Sequence, residues 1–184
     1  NIRDIAKTAY IPQDRLLFGV ASEATIKENL LANRLSEPEI SKAGIVKEKQ
    51  LTRKSRELIQ EFTVKCDSEK QTVDMLSGGN IQKVVVAREC SHDPKVLIAE
   101  QPTRGVDIGA IEYIHQHLMQ MRDSGSAILL ISADLDEVIK LADRIAVLYE
   151  GRIVAEKETG AFTKTELGYY MLGGNARKEA AEND

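Results

Sequence analysis

An α/β fold built on a mainly parallel sheet, with a helical subdomain beside it, is what this sequence predicts. Three observations carry that expectation. First, "KVLIAE" (95–100), "AILLIS" (127–132) and "RIAVLYE" (144–150) are short, continuously apolar runs. Strands buried on both faces of a parallel sheet read this way. Second, helical patterns at 108–125 and 134–143 separate those runs, so strand and helix alternate as right-handed crossovers require. Third, the stretch from Ser22 to His92 reads as helical, with one interruption at "LSGGN". The 184 residues suffice for one ordinary domain, and 42% of them are hydrophobic, enough for a core.

Taken in order, "TAYIPQDR" (8–15) opens as a short strand and turns at Pro12. "SEATIKENLLANRL" (22–35) reads as a helix with Ser22 as its N-cap and Ile26, Leu30 and Leu31 on one face. "SEPEISKAGIV" (36–46) is a polar connector. "KEKQLTRKSRELIQEF" (47–62) is a second helix, with Leu51, Leu58, Ile59 and Phe62 at helical spacing. Its charged run reads as a solvated face; docking against a membrane subunit is the alternative. "DMLSGGNIQKVVVAREC" (74–90) sets Ser77 and two glycines before a helix bearing Ile81, Val84, Val85 and Arg88. After an Asp93-Pro94 turn, the next strand ends in Glu100, Gln101, Pro102 and Thr103. The helix at 108–125 aligns Ile111, Ile114, Leu118 and Met121. "YEGRIVAE" (149–156) is a hairpin turning at Glu150-Gly151, an antiparallel edge. Thr163 and Glu166 form a capping box. From Gly173 the tail is small and charged, and disorder is expected there.

Composition excludes several functions. Net charge is −4, aromatics make up 4% and there is no Trp, which argues against a nucleic-acid partner. No apolar run reaches the roughly 18–20 residues that span a bilayer, and no signal-peptide pattern opens the chain. Cys66 and Cys90 sit in no metal-like spacing and fit a reduced, cytosolic protein. His115 and His117 are two apart on a helix, point in different directions and make a poor metal pair; a surface or partly buried setting is expected. No intrinsic metal site is read. The chain begins with Asn1, which suggests a piece of a longer polypeptide.

Glycines let a backbone approach a ligand closely, and a helix start offers free N–H groups. Together they can hold a phosphate. Alone, "SGGN" is equally a turn and an N-cap, but its neighbours add to it. In order, "AYIPQDR", "LSGGN", "VLIAEQPT", "TRGVD" and "LLISADLDE" resemble the Q-loop, signature, Walker B strand, D-loop and switch region of the ATP-binding cassette family. The resemblance covers residues 8–172. "LSGGNIQKVVVAREC", "EQPTRGVD", "GAIEYIH" and "DRIAVLYEGRIV" resemble the second cassette of tandem-cassette importers, in the nucleoside branch, with ribose- or galactose-type sugar importers as the near alternative.

That resemblance implies a division into 1–20 (Q-loop strand), 21–92 (helical signature subdomain), 93–172 (α/β core) and a tail at 173–184. It implies ATP and Mg²⁺ in the full assembly. The implied partners are the first cassette of the same polypeptide, transmembrane permease subunits and, indirectly, an extracytoplasmic solute-binding protein, at the cytoplasmic face of the membrane. Ser77, Gly78, Gly79 and Asn80 would serve ATP held by the other cassette, Gln13 the Q-loop, and Asp107 the D-loop. No Gly-x-x-x-x-Gly-Lys-[Ser/Thr] occurs in the chain, so the phosphate loop is expected upstream. The family usually carries Asp-Glu at the strand tip and a His at the switch. Here Glu100 keeps a charge for Mg²⁺, but Gln101 is no base at neutral pH, and Ala133 has no polar side-chain atom. The expectation is a degenerate site whose signature still works in trans, with no hydrolysis by these residues alone. A non-transport cassette ATPase and a pure interaction module remain alternatives.

Overall fold

The computed structural model of the chain describes residues 7–42 and 44–174. The described residues fall into two compact units that divide between Ile131 and Ser132. Among them, no helix is long and apolar enough to cross a membrane.

The first unit is organised by a three-stranded parallel sheet in the order β1-β4-β5. β1 is Thr8–Ile11, β4 is Val96–Glu100 and β5 is Ala127–Ile131. Thr8 pairs with Val96 and Val96 with Ala127, so the C-terminal ends of all three strands reach one edge. That edge is where parallel sheets present ligand-binding loops. Burial alternates. Ala9, Ile11, Leu97 and Ala99 are buried, while their neighbours are half-exposed and Leu129 and Ile131 of β5 are exposed. The expectation of strands sealed on both faces is corrected: within this unit one face is packed, and β5's far edge pairs with no strand among the described residues. At the other edge, the Tyr10 N–H donates to the carboxylate of Glu89 (3.0 Å).

The helical part differs in detail from its sequence reading. α1 is Ile26–Leu31, continued by a 3-10 turn at Ala32–Arg34. Its N-cap is Thr25, which forms a capping box with Glu28, and not Ser22. A reciprocal pair satisfies two of the orphan N–H groups, and Ser22 has no glutamate three residues on. The polar connector holds two 2-residue strands, β2 Ser41–Lys42 and β3 Ile45–Val46. α2 is Glu48–Glu61, with Leu51, Ser55 and Leu58 buried and the charged run exposed. The break in helicity lies at 62–77, because the two glycines of "LSGGN" are themselves the first turn of α3, Gly78–Cys90. α3 is buried nearly all round, Ile81, Gln82, Val84, Val85, Val86 and Ala87 included, as a central helix packed against β1, α1, α2 and α4 must be. α4 is Ile108–Asp123 and buries Ile114 and Leu118. His115 is buried too, contrary to expectation, while His117 stacks on Phe62 at 4.9 Å.

The second unit contains α5 (Leu135–Leu141), β6 (Arg144–Tyr149), β7 (Arg152–Glu158) and α6 (Lys164–Met171). The expected turn at Glu150-Gly151 is present, both residues having positive φ (46° and 77°) as a tight hairpin requires. β6 pairs antiparallel with β7 through that turn. Ile145, Val147, Phe162 and Leu167 form the core of this unit. The Thr163–Glu166 capping box is formed. The expected tail disorder concerns a segment that from residue 175 lies outside the described residues.

Candidate functional site

Two structures dominate the upper edge of the first unit: the start of α3 and the tip of β4. Ser77 is the N-cap of α3 but makes no capping bond to the first turn. Its hydroxyl instead accepts from Asn80 Nδ2 (2.8 Å), and Asn80 Oδ1 accepts from the Lys65 N–H (2.8 Å). α1, α4, α5 and α6 each have a side chain on their first-turn N–H groups, whereas α2, like α3, has none. The start of α3 therefore keeps donors that an anion can use.

Both glycines there have close neighbours, and that of Gly78 is the mobile end of a long side chain. A Cβ at Gly79 would stand 2.7 Å from Asp107 Oδ2 and 3.2 Å from the Ala110 methyl. A Cβ at Gly78 would stand 2.8 Å from Arg15 Nη2. Asp107 also caps α4, its Oδ1 accepting from the Ala110 N–H (3.0 Å). The structure thus brings Gly78, Gly79 and Asp107 together, with Ser77 and Asn80 on the same turn.

Two residues that the sequence reading passed over help build this edge. Arg15 donates to the carbonyls of Arg104 (2.8 Å) and Gly105 (3.1 Å). Gln82, buried in α3, donates to the Pro102 carbonyl (2.8 Å). Contacts spanning 89 and 20 residues leave no local pattern to read; a polar residue in an otherwise apolar helix was the one available signal for Gln82.

At the strand tip, Glu100 accepts a hydrogen bond from the Tyr10 hydroxyl (2.6 Å). That bond raises the Tyr10 pKa above its ordinary value, with burial and the Glu100 charge adding to it. Gln101 has φ 46° and its N–H donates to the Ile131 carbonyl (2.7 Å). A non-glycine residue there is strained, and the following Pro102 adds to the strain. Gln13 follows β1 and precedes Asp14, whose carboxylate accepts from the N–H groups of Leu16 and Leu17. Ala133 is exposed in the second unit, before Asp134, the cap of α5.

The donor set bears on the metal. No cluster of three or more His, Cys, Asp or Glu able to hold an ion occurs among the described residues. Mg²⁺ is commonly held by one or two carboxylates with substrate phosphates and water completing the shell, and Glu100 fits that pattern as a single hard oxygen ligand. Cys90 is buried and its pKa is raised by that burial to about 12, so it is inert as a nucleophile. Burial raises the Cys66 pKa as well.

No protein-family model matches the chain. Among curated proteins, the nucleoside import ATP-binding protein NupA of Lactococcus lactis subsp. cremoris is 44% identical over 166 residues, 90% of this chain and 33% of that protein. The guanosine import ATP-binding protein NupO of Bacillus subtilis is 42% identical over 94% of this chain and 34% of its own length. The ribose import ATP-binding protein RbsA of Oceanobacillus iheyensis is 35% identical over 94% of this chain and 34% of its own length. The chain spans about a third of the length of these relatives. Among solved structures, a dimeric ATP-binding cassette in a post-hydrolysis state, bound to ADP and Pi, superposes with a TM-score of 0.67 at 20% identity, over 88% of this chain and 69% of that one. The fold is that of a cassette, and the relatives match nine-tenths of the chain or more: the chain belongs to the ATP-binding cassette ATPases.

Proposed function

We propose that the chain is the ATP-handling part of an importer for nucleosides or simple sugars, and that it lends its signature to a partner cassette while its own site turns over poorly. The observation that carries this reading is the start of α3. Its two glycines let Asp107 close against Gly79 and Arg15 against Gly78, and its first turn lacks a side-chain cap. Such a turn can hold phosphate oxygens of a nucleotide bound by another subunit. Ser77, Gly78, Gly79 and Asn80 are the residues assigned to this task, with Asp107 bracing them. The names of the relatives support import as the process, and their higher identity in the nucleoside group favours nucleosides over sugars.

Glu100 is the residue assigned to Mg²⁺, which when bound neutralises developing phosphate charge. Tyr10 fixes that carboxylate. Gln101 can orient a water by hydrogen bonding but cannot take its proton. Ala133 offers nothing to a γ-phosphate. The phosphate loop, the first cassette, the permease subunits and the solute-binding protein belong to the wider assembly of this proposal, at the cytoplasmic face of the membrane. The helical stretch 21–92 acts in it as the signature subdomain.

In the full-length transporter, Ser77→Arg is expected to abolish uptake; unchanged uptake sinks the reading. Combining Gln101→Glu with Ala133→His is expected to raise hydrolysis at this site by at least about tenfold, since a positioned base contributes about 10² or more. No gain would mean that these two positions are not what limits it.

A further inference from the structure

We infer that Arg15 is a positioning residue for the hydrolysis that the α3 signature supports: its guanidinium fixes the 104–107 segment against the first turn of that helix. The inference rests on the signature reading above. Its basis is a pinch of backbone between two elements. On one side, Arg15 Nη1 and Nη2 donate to the consecutive carbonyls of Arg104 (2.8 Å) and Gly105 (3.1 Å). Gly105 has φ 67°, a left-handed conformation that glycine adopts without strain. On the other side, the missing Cβ of Gly78 would lie 2.8 Å from Arg15 Nη2 and 3.5 Å from the Gly105 carbonyl oxygen. Two residues on, Asp107 closes against Gly79 and caps α4.

The 104–107 segment belongs to no strand or helix. Its own turn contributes a bond from the Arg104 N–H to the Gln101 carbonyl (3.0 Å), and at its far end Asp107 accepts from the N–H groups of Ala110 and Ile111. Arg15 Nε is buried without a hydrogen-bond partner, so the polar attachment runs through the two terminal nitrogens. A planar fork can hold two carbonyls in fixed relation, whereas an ammonium is a point charge on a flexible stem. Arg15 also lies two residues after Gln13 and begins the short π-helical turn Arg15–Gly19. A shift in that turn is thereby transmitted to the segment carrying Asp107 and to the spacing of Gly78 and Gly79. Displacements of about 1 Å away from the chemistry can cost about 10² in rate.

The test uses the full-length transporter reconstituted with its membrane partners, comparing wild type, Arg15→Lys and Ser77→Arg. With Arg15→Lys, kcat for solute-stimulated ATP hydrolysis is expected to fall about tenfold or more while KM for ATP stays within about twofold, the signature of an interaction realised in the transition state. An unchanged kcat overturns the inference. So does a loss in which kcat and KM move in step with a lowered Tm, which marks a merely structural role. If Arg15→Lys does not accumulate as folded protein, Arg15→Gln is read by the same criteria. Ser77→Arg separates the two levels: if it is silent, the signature reading and this inference both fall; if it abolishes hydrolysis while Arg15→Lys matches wild type, only the role of Arg15 falls.

Discussion

The start of α3 and the tip of β4 are both read as nucleotide-facing, yet they are built in opposite ways. At α3, the neighbours of Gly78 and Gly79 lie within 2.8 Å of where side chains would begin, and Asn80 is locked from both sides. Geometry there is tight, most of all at Gly79, where a side chain would meet both the Asp107 carboxylate and the Ala110 methyl. At the tip of β4, Glu100 accepts from the Tyr10 hydroxyl at the end of a side chain, and Gln101 sits in a strained backbone conformation. A change of functional group at 101 or 133 leaves the backbone where it was; a change of size at 79 does not. On the proposed reading, the base position and the signature are separable, because the two reside in different kinds of constraint.

That contrast can be broken by substitution. The largest effect is expected from Gly79→Val, which drives atoms into the Asp107 carboxylate and the Ala110 methyl and should cost about 3 kcal/mol. The midpoint of urea unfolding measures it, and a cost below about 0.5 kcal/mol would mean that the wedge is loose. Tyr10→Phe should cost about 0.5 kcal/mol at neutral pH, since the lost bond is only partly buried. Its sharper signature is at alkaline pH. The hydrogen bond to Glu100 raises the native phenol pKa above 10, so its contribution is full below that pH and disappears as pH rises through the native value. The Tyr10→Phe chain should lack that part of the alkaline decline in a titration of stability. The smallest effect is expected from Gln101→Gly: relief of the left-handed strain offsets the added freedom of the unfolded chain, leaving a net change within about 0.5 kcal/mol.

The sequence made some of this legible and hid the rest for physical reasons. β4 and β5 were readable because a run such as "VLIAE" is apolar without interruption, and α2 because Leu51 and Leu58 recur at helical spacing with charges between. The Glu150-Gly151 turn announced itself through its residue types. The β6–β7 ladder was readable with that turn, since a two-residue hairpin pairs the strands on either side of it. Ser22 was read as the cap of α1, but the reciprocal bond between Thr25 and Glu28 starts the helix three residues later. At the candidate site, residue types at fixed spacing marked Ser77–Asn80 and Asp107. Arg15 left no trace, because its partners are backbone carbonyls whose own side chains say nothing about them.

The two margins of the parallel sheet carry a practical consequence. Glu89 occupies one of them by accepting the Tyr10 N–H, setting a carboxylate where another strand would otherwise add. The opposite margin is β5, "AILLI", without a charged residue and with Leu129 and Ile131 exposed. Unguarded apolar strands of this kind are templates for like strands from neighbouring molecules. β5 is thus one site through which copies of the chain can associate, and Leu129→Lys is expected to lower that tendency, read as less light scattering at a given protein concentration.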